Sequence, residues 1–234
     1  MKIAHIMPVN ASKERKEKVL KKLKQVVHSN TEIDIIDYKD GPVDLEYYED
    51  DLKAVQLMMA DRERLAQYDG INIACFYDPG LRELREVLEN PVMGIGFASM
   101  TVANMLGSKS TVIVGRDKWI PKMSDNSLIY GLNKNVTNWR SVGLSVHQLK
   151  SEKKLTRERI LEQTRLAIEE DLAEVIIMGC AAIDNIEQEI EEKFGVPAVN
   201  PIIAGITITE TLAQLRLKNN LSHSKKYDYA MRVQ

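Results

Sequence analysis

Two patterns alternate along the chain. Short apolar runs with little charge recur at residues 2–9 (KIAHIMPV), 70–76 (GINIACF), 109–115 (KSTVIVG) and 173–181 (AEVIIMGCA). Between them lie longer stretches whose apolar residues fall at helical spacing. In residues 12–29, Val19, Leu20, Leu23, Val26 and Val27 make one stripe, the rest is mostly charged, and Ser12 is placed as the N-cap. The pattern predicts strands over 2–9, 32–38, 70–76, 91–96, 109–115, 141–149, 173–181 and 196–201. It predicts helices over 12–29, 44–68, 80–90, 99–107, 120–132, 155–172, 184–195 and 202–219. The tail from His223 onward is polar and is expected to be loose or draped over a neighbour.

Strands alternating with helices imply βαβ units and parallel sheet, so the expected fold class is α/β. Continuous apolar strands such as VIIMGC fit a sheet covered on both faces. No Ser/Gly/Pro-rich linker divides the chain. A faint internal repeat is visible. INIACFYDPGLRELREVLENPVMGI and VIIMGCAAIDNIEQEIEEKFGVPAVNP each run strand, cysteine, short loop, helix, then a proline beside a valine. Cys75 precedes Pro91 by 16 residues, and Cys180 precedes Pro197 by 17. Two similar α/β halves would present their cysteines at equivalent places, near the strand ends where open parallel sheets bind ligands.

Composition narrows the picture. The 234 residues are 44% hydrophobic and 28% charged, with a net charge of -2. That is ordinary for a globular domain and offers no basic footprint for nucleic acid. The N-terminal run is short, broken by His5, and lacks a signal-peptide pattern. No apolar stretch reaches the length of a membrane span. A cytoplasmic location is therefore expected, and there two cysteines are thiols rather than a structural disulfide.

The two cysteines are the candidate chemistry. Both precede a predicted helix, and a thiol at a helix N-terminus gains thiolate character. Two thiolates facing one small molecule suit stereoinversion, one removing a proton from a carbon acid and the other returning one from the opposite face. Free cysteine also serves as a small core hydrophobe, and that reading stays open on spacing alone. A redox pair is disfavoured by the lack of a Cys-x-x-Cys motif.

IACFYDPGLRELRE resembles the first-cysteine motif of the hydantoin racemases, Ala-Cys-Phe-Gly-Asp-Pro-Gly-Leu followed by a helix. IIMGCAA is similar to their second motif, Leu-Gly-Cys-Ala-Gly. IMPVNASKE resembles their N-terminal Asn-Pro-Asn-Thr-Ser segment, and PVMGIGFASMTVANMLG and VPAVNPIIAGI follow in family order. The wider group is the aspartate/glutamate racemase superfamily. The resemblance implies two pseudo-symmetric lobes, each a mostly parallel sheet flanked by helices, with the active site in the cleft between them. Residues 1–98 plus 207–234 would form the lobe carrying Cys75, and 99–206 the lobe carrying Cys180. It further implies cofactor-independent racemisation, with Cys75 and Cys180 as the acid/base pair. Asn10, Ser12 and the backbone at Phe76 and Ala181 would hold the substrate, beside Tyr77 and Gly115.

Several positions depart from the family pattern. Tyr77 stands where glycine is usual, Ala182 replaces another glycine, and Phe97 stands where many relatives carry Glu. Gly115 and Arg116 replace part of a Thr-rich segment, and Asn200-Pro201 replaces Asp-Pro. The expected substrate is a 5-substituted hydantoin or allantoin. Alternatives are an amino-acid racemase, a maleate-type isomerase or a decarboxylase of the same superfamily, or a non-catalytic small-molecule binding protein. Asp78 is read as an N-cap, His5 and His147 as packed strand residues, and His28 and His223 as exposed. Four scattered histidines and two distant cysteines give no metal-ligand spacing. The expected partner is a small-molecule substrate, not nucleic acid or a membrane, and a homo-oligomer is possible.

Overall fold

The computed structural model describes residues 1–183 and 185–231. Asp184, the expected start of the helix over 184–195, and the last three tail residues lie outside them. The described chain divides into two compact units, Met1–Ile95 together with the chain from Gly205 onward, and Gly96–Ala204.

The first unit is built on β1 (Lys2–Met7), β2 (Glu32–Asp37), β3 (Gly70–Ile73) and β4 (Val92–Gly94). They form one parallel sheet in the order β2-β1-β3-β4. Helices α1 (Lys13–Leu23), α2 (Tyr48–Ala60), α3 (Arg62–Leu65) and α4 (Leu81–Val87) connect the strands. Every residue of β3 is buried, as its apolar run requires in a sheet covered on both faces. Ser12 accepts a hydrogen bond from the Arg15 N–H at 3.3 Å and so starts α1 as the spacing predicts. His5 and Asn72 stand opposite each other on β1 and β3 and are fully buried. Burial holds the His5 imidazole down at about 4.

The second unit repeats the plan after α5 (Ile95–Leu106). Strands β5 (Ser110–Val114), β6 (Val136–Ser141), β7 (Val175–Met178) and β8 (Ala198–Val199) form a parallel sheet in the order β6-β5-β7-β8. Its helices are α6 (Ile120–Ile129), α7 (Val146–Ser151), α8 (Lys153–Glu169) and α9 (Glu187–Phe194). The last helix, α10 (Pro201–Asn219), lies mostly in the first unit. There it packs so close to the sheet that a Cβ on Gly70 would sit 3.2 Å from Thr209 and Ala213. Numbering the strands within each unit, both sheets read 2-1-3-4. The repeat seen in the sequence is therefore a repeat of topology.

One predicted strand is wrong. Beyond Ser141, the last residue of β6, residues 142–149 are not a strand; the chain bends at Gly143, which has φ +67°, and enters α7. Ser145 and Gln148 make a reciprocal capping box there, which favours helix over sheet. The true edge strand is β6, whose polar sequence buries only Val136 fully. His147 consequently lies exposed on α7 rather than packed in a strand. Among the described residues no helix is long and apolar enough to cross a membrane.

Candidate active site

In the first unit the chain leaves β1 and β3 toward opposite edges of the sheet. The carboxyl ends of these two neighbours are therefore a topological switch point, where open α/β sheets leave a crevice for ligands. Asn10 lies just past the end of β1. Its N–H donates to the Pro42 carbonyl at 2.8 Å and its Nδ2 to the Lys39 carbonyl at 2.9 Å, which fixes this exposed residue in place. Beyond β3, the Ala74 N–H donates to the Ile6 carbonyl at 2.7 Å, and the chain then turns. Cys75 opens that turn. It is a half-buried thiol rather than half of a disulfide, and its carbonyl accepts from the Asp78 N–H at 2.9 Å.

The second unit builds the same corner between β5 and β7. The Gly179 N–H donates to the Ile113 carbonyl at 2.8 Å, as Ala74 does to Ile6. Cys180 follows, also a half-buried thiol outside any disulfide, and its carbonyl accepts from the Ile183 N–H at 3.1 Å. Each cysteine thus stands two residues past the third strand of its sheet, at the head of a turn closed three residues later. The Ala182 N–H also donates to Cys180 Sγ at 3.4 Å, a bond that favours the charged sulfur. Gly115 lies at the end of the neighbouring β5. A Cβ on it would fall 2.5 Å from the Leu144 carbonyl oxygen and from the Trp119 ring, so close packing demands glycine there.

The turns change two expectations. Neither cysteine abuts a helix: α4 begins at Leu81 and α9 at Glu187. Turn backbone, not the first turn of a helix, surrounds each thiol. Asp78 is not an N-cap either. It takes φ +49°, and Gly80, at φ +68°, occupies the cap position. Asp78 is instead buried against Gly94, where a Cβ would lie 2.2 Å from the carboxyl carbon. No pattern in the sequence announces that pairing across β3 and β4.

Phe76 and Tyr77 are both buried. The Tyr77 hydroxyl donates to the Glu46 carbonyl at 3.4 Å, so the ring that replaces a glycine is anchored on the segment before α2. Burial, then the charge of nearby Cys75, raises its phenol above the ordinary range. Ala181 is half-buried beside Cys180. Phe97 stacks on Tyr130 with ring centroids 4.3 Å apart. Asn200 accepts from the Ile202 and Ile203 N–H groups at 3.1 and 3.2 Å, starting α10, and its Nδ2 donates to Glu187 at 2.6 Å. That bond ties the start of α9, which follows the Cys180 turn, to the end of β8. Sequence reasoning missed Glu46, Gly94, Tyr130 and the Ala182 N–H, because each acts through a contact distant in the chain or through backbone.

Comparison with known proteins agrees with this architecture. Residues 5–209 match the family model described as Asp/Glu/Hydantoin racemase. A hydantoin racemase from Pseudomonas sp. (strain NS671) is 30% identical over 207 residues, covering 87% of this chain and 83% of that protein. The structure of allantoin racemase from Pseudomonas fluorescens superposes with a TM-score of 0.90 at 27% identity, covering 100% of this chain and 98% of that one. The structure of allantoin racemase from Klebsiella pneumoniae gives a TM-score of 0.87 at 26% identity, covering 100% and 94%. The fold, the repeated cysteine corners and these likenesses lead to one conclusion: the chain belongs to the Asp/Glu/hydantoin racemase family and is an isomerase of the racemase type.

Proposed function

We propose that this protein racemises a 5-substituted hydantoin or allantoin without a cofactor, using Cys75 and Cys180 as its two acid/base groups. One observation carries the reading. The chain's two cysteines occupy the same position in two topologically identical sheets, each at a switch point. A core role for cysteine gives no reason for that match. The relatives named as hydantoin and allantoin racemases supply the substrate class.

The stereocentre of such a ring carries a hydrogen beside a carbonyl. A thiolate on one face takes that proton, and the C–H electron pair moves into the carbonyl as an enolate. The thiol on the other face then gives its proton to the same carbon, and the enolate electrons return to form the new C–H bond. The product is the mirror image, and the two sulfurs have exchanged protonation states. Backbone N–H groups at Phe76 and Ala181, with Asn10 and Ser12, are the proposed donors to the ring's oxygens. Donors aimed at developing negative charge lower this kind of barrier most effectively. Gly115 and Tyr77 are proposed to bound the space beside the two thiols. The bond from the Ala182 N–H to Cys180 supports the thiolate that the reaction needs.

The test uses Cys75→Ser and Cys180→Ser with polarimetry and solvent deuterium exchange at the stereocentre. Each change should lower racemisation by at least about 100-fold, the usual contribution of a positioned acid or base. Each single-thiol protein should still exchange deuterium into one enantiomer only. Full racemisation by both variants would overturn the mechanism.

A further inference from the structure

The two halves differ in how the helix after each cysteine ends. Helix α9 stops itself: Gly195 takes φ +71° and its N–H donates to the Glu191 carbonyl at 2.9 Å. Helix α4 has no such glycine. It runs into Leu88, which is extended (φ -114°, ψ 140°). Its last carbonyls are taken by a residue from far along the chain. The Lys225 ammonium donates to the carbonyls of Arg85, of Glu86 at 3.0 Å and of Leu88 at 2.8 Å. A cation at the open carbonyls of a helix end is stabilising on both hydrogen-bond and dipole grounds.

The surrounding tail is fastened to the same element and to the chain that follows it. The Ser222 hydroxyl donates to the Glu89 carbonyl. The Val92 N–H, on edge strand β4, donates to His223 Nε2 at 2.8 Å. Arg82 pairs with Asp228 at 2.7 Å, and the Arg85 guanidinium lies 5.9 Å from the Tyr229 ring centre. These attachments fall on α4 and on the segment that leads from it into β4, and α4 begins three residues past the close of the Cys75 turn.

We propose that residues 221–229 form a clasp that closes α4, and that Lys225 is a positioning residue that fixes the Cys75 turn through that helix. The clasp replaces the cap that the first repeat lacks, and it acts on one thiol of the pair and not on the other. The proposal rests on the reading of Cys75 as a reacting thiol for its catalytic consequence only.

The experiment compares Lys225→Met, Lys225→Arg and a chain ending at Asn220 with the full-length protein. Alkylation of Cys75 and Cys180 by iodoacetamide is followed separately by peptide mass spectrometry, with amide hydrogen exchange in α4. Lys225→Met and the shortened chain should alkylate Cys75 about tenfold faster, as loss of a charge-assisted bond implies. Amides of α4 should exchange faster too, while Cys180 keeps its rate. Lys225→Arg should restore both, and turnover should fall in kcat more than it changes KM. Unchanged Cys75 alkylation and α4 exchange in both disabling variants would overturn the clasp. A parallel rise at Cys75 and Cys180 would overturn it as well, because the whole protein would then have loosened. Neither thiol readout needs turnover, so failure of the racemase reading would show separately, as full activity in the cysteine variants.

Discussion

At the scale of single residues, the first cysteine corner depends on two contacts that only folding creates. Tyr77 is 4% exposed, and its hydroxyl reaches the Glu46 carbonyl at 3.4 Å. Tyr77→Phe should cost about 1 kcal/mol, the usual net worth of such a bond. Tyr77→Gly empties the whole ring's space and should cost ~3–5 kcal/mol, visible as a lower urea midpoint. Gly94 is the second contact. Its Cβ would overlap the Asp78 carboxyl, so Gly94→Ala should destabilise by about 1–3 kcal/mol, as overpacking does. Asp78→Gly added to that variant should recover part of the loss. Additive losses in the double variant would show that the two residues are not in conflict.

At the scale of elements, capping decides where the apolar pattern becomes helix. Val142, Leu144 and Val146 are 4%, 2% and 7% exposed, so the alternation that suggested a strand over 141–149 is real burial. It is achieved by a turn and a short helix instead. Gly143 bends the chain, and Ser145 and Gln148 lock the helix start. Ser145→Ala should therefore cost about 1 kcal/mol. Gly195→Ala should cost a similar ~1 kcal/mol, since its left-handed backbone is unfavourable for alanine even though the space around it is open. Both are read from urea unfolding. Strand β6 escaped notice for the complementary reason. An edge strand with one fully buried residue carries too little apolar signal to announce itself.

At the scale of the whole molecule, two histidines set the response to acid. His5 is buried inside the first sheet, and His223 sits against Val92, Arg85, Lys225 and Tyr229. Burial lowers both imidazoles to about 4 from 6.5; at His223 the nearby positive charges add to the effect. Released from the fold, each takes up a proton near 6.5, while the native protein stays unprotonated down to about 4. The unfolded chain thus binds more protons in that window, and stability must fall as pH drops from 6.5 toward 4. Each histidine should contribute a slope of roughly 1.4 kcal/mol per pH unit there. Replacing His223 by Gln should remove one share of that slope in urea unfolding measured across the window. An unchanged slope would show that the tail histidine already titrates freely.

The sequence by itself determined the α/β class, the internal repeat, most strand and helix cores, and the placement of Cys75 and Cys180 past matching strands. These features are written in local hydrophobic period and in motifs a few residues long, which the chain carries without reference to distant parts. The tertiary structure alone decided what surrounds them. It put Asp78 against Gly94, hung Tyr77 on Glu46, gave each thiol a turn rather than a helix start, and brought the polar tail back to close α4. His223, expected to be exposed, became half-buried in the same way. Apart from the thiol turns, which close within three residues, each of these depends on residues brought together from separate parts of the chain. Local pattern sets which elements form, but packing and hydrogen-bond satisfaction between distant segments select their partners.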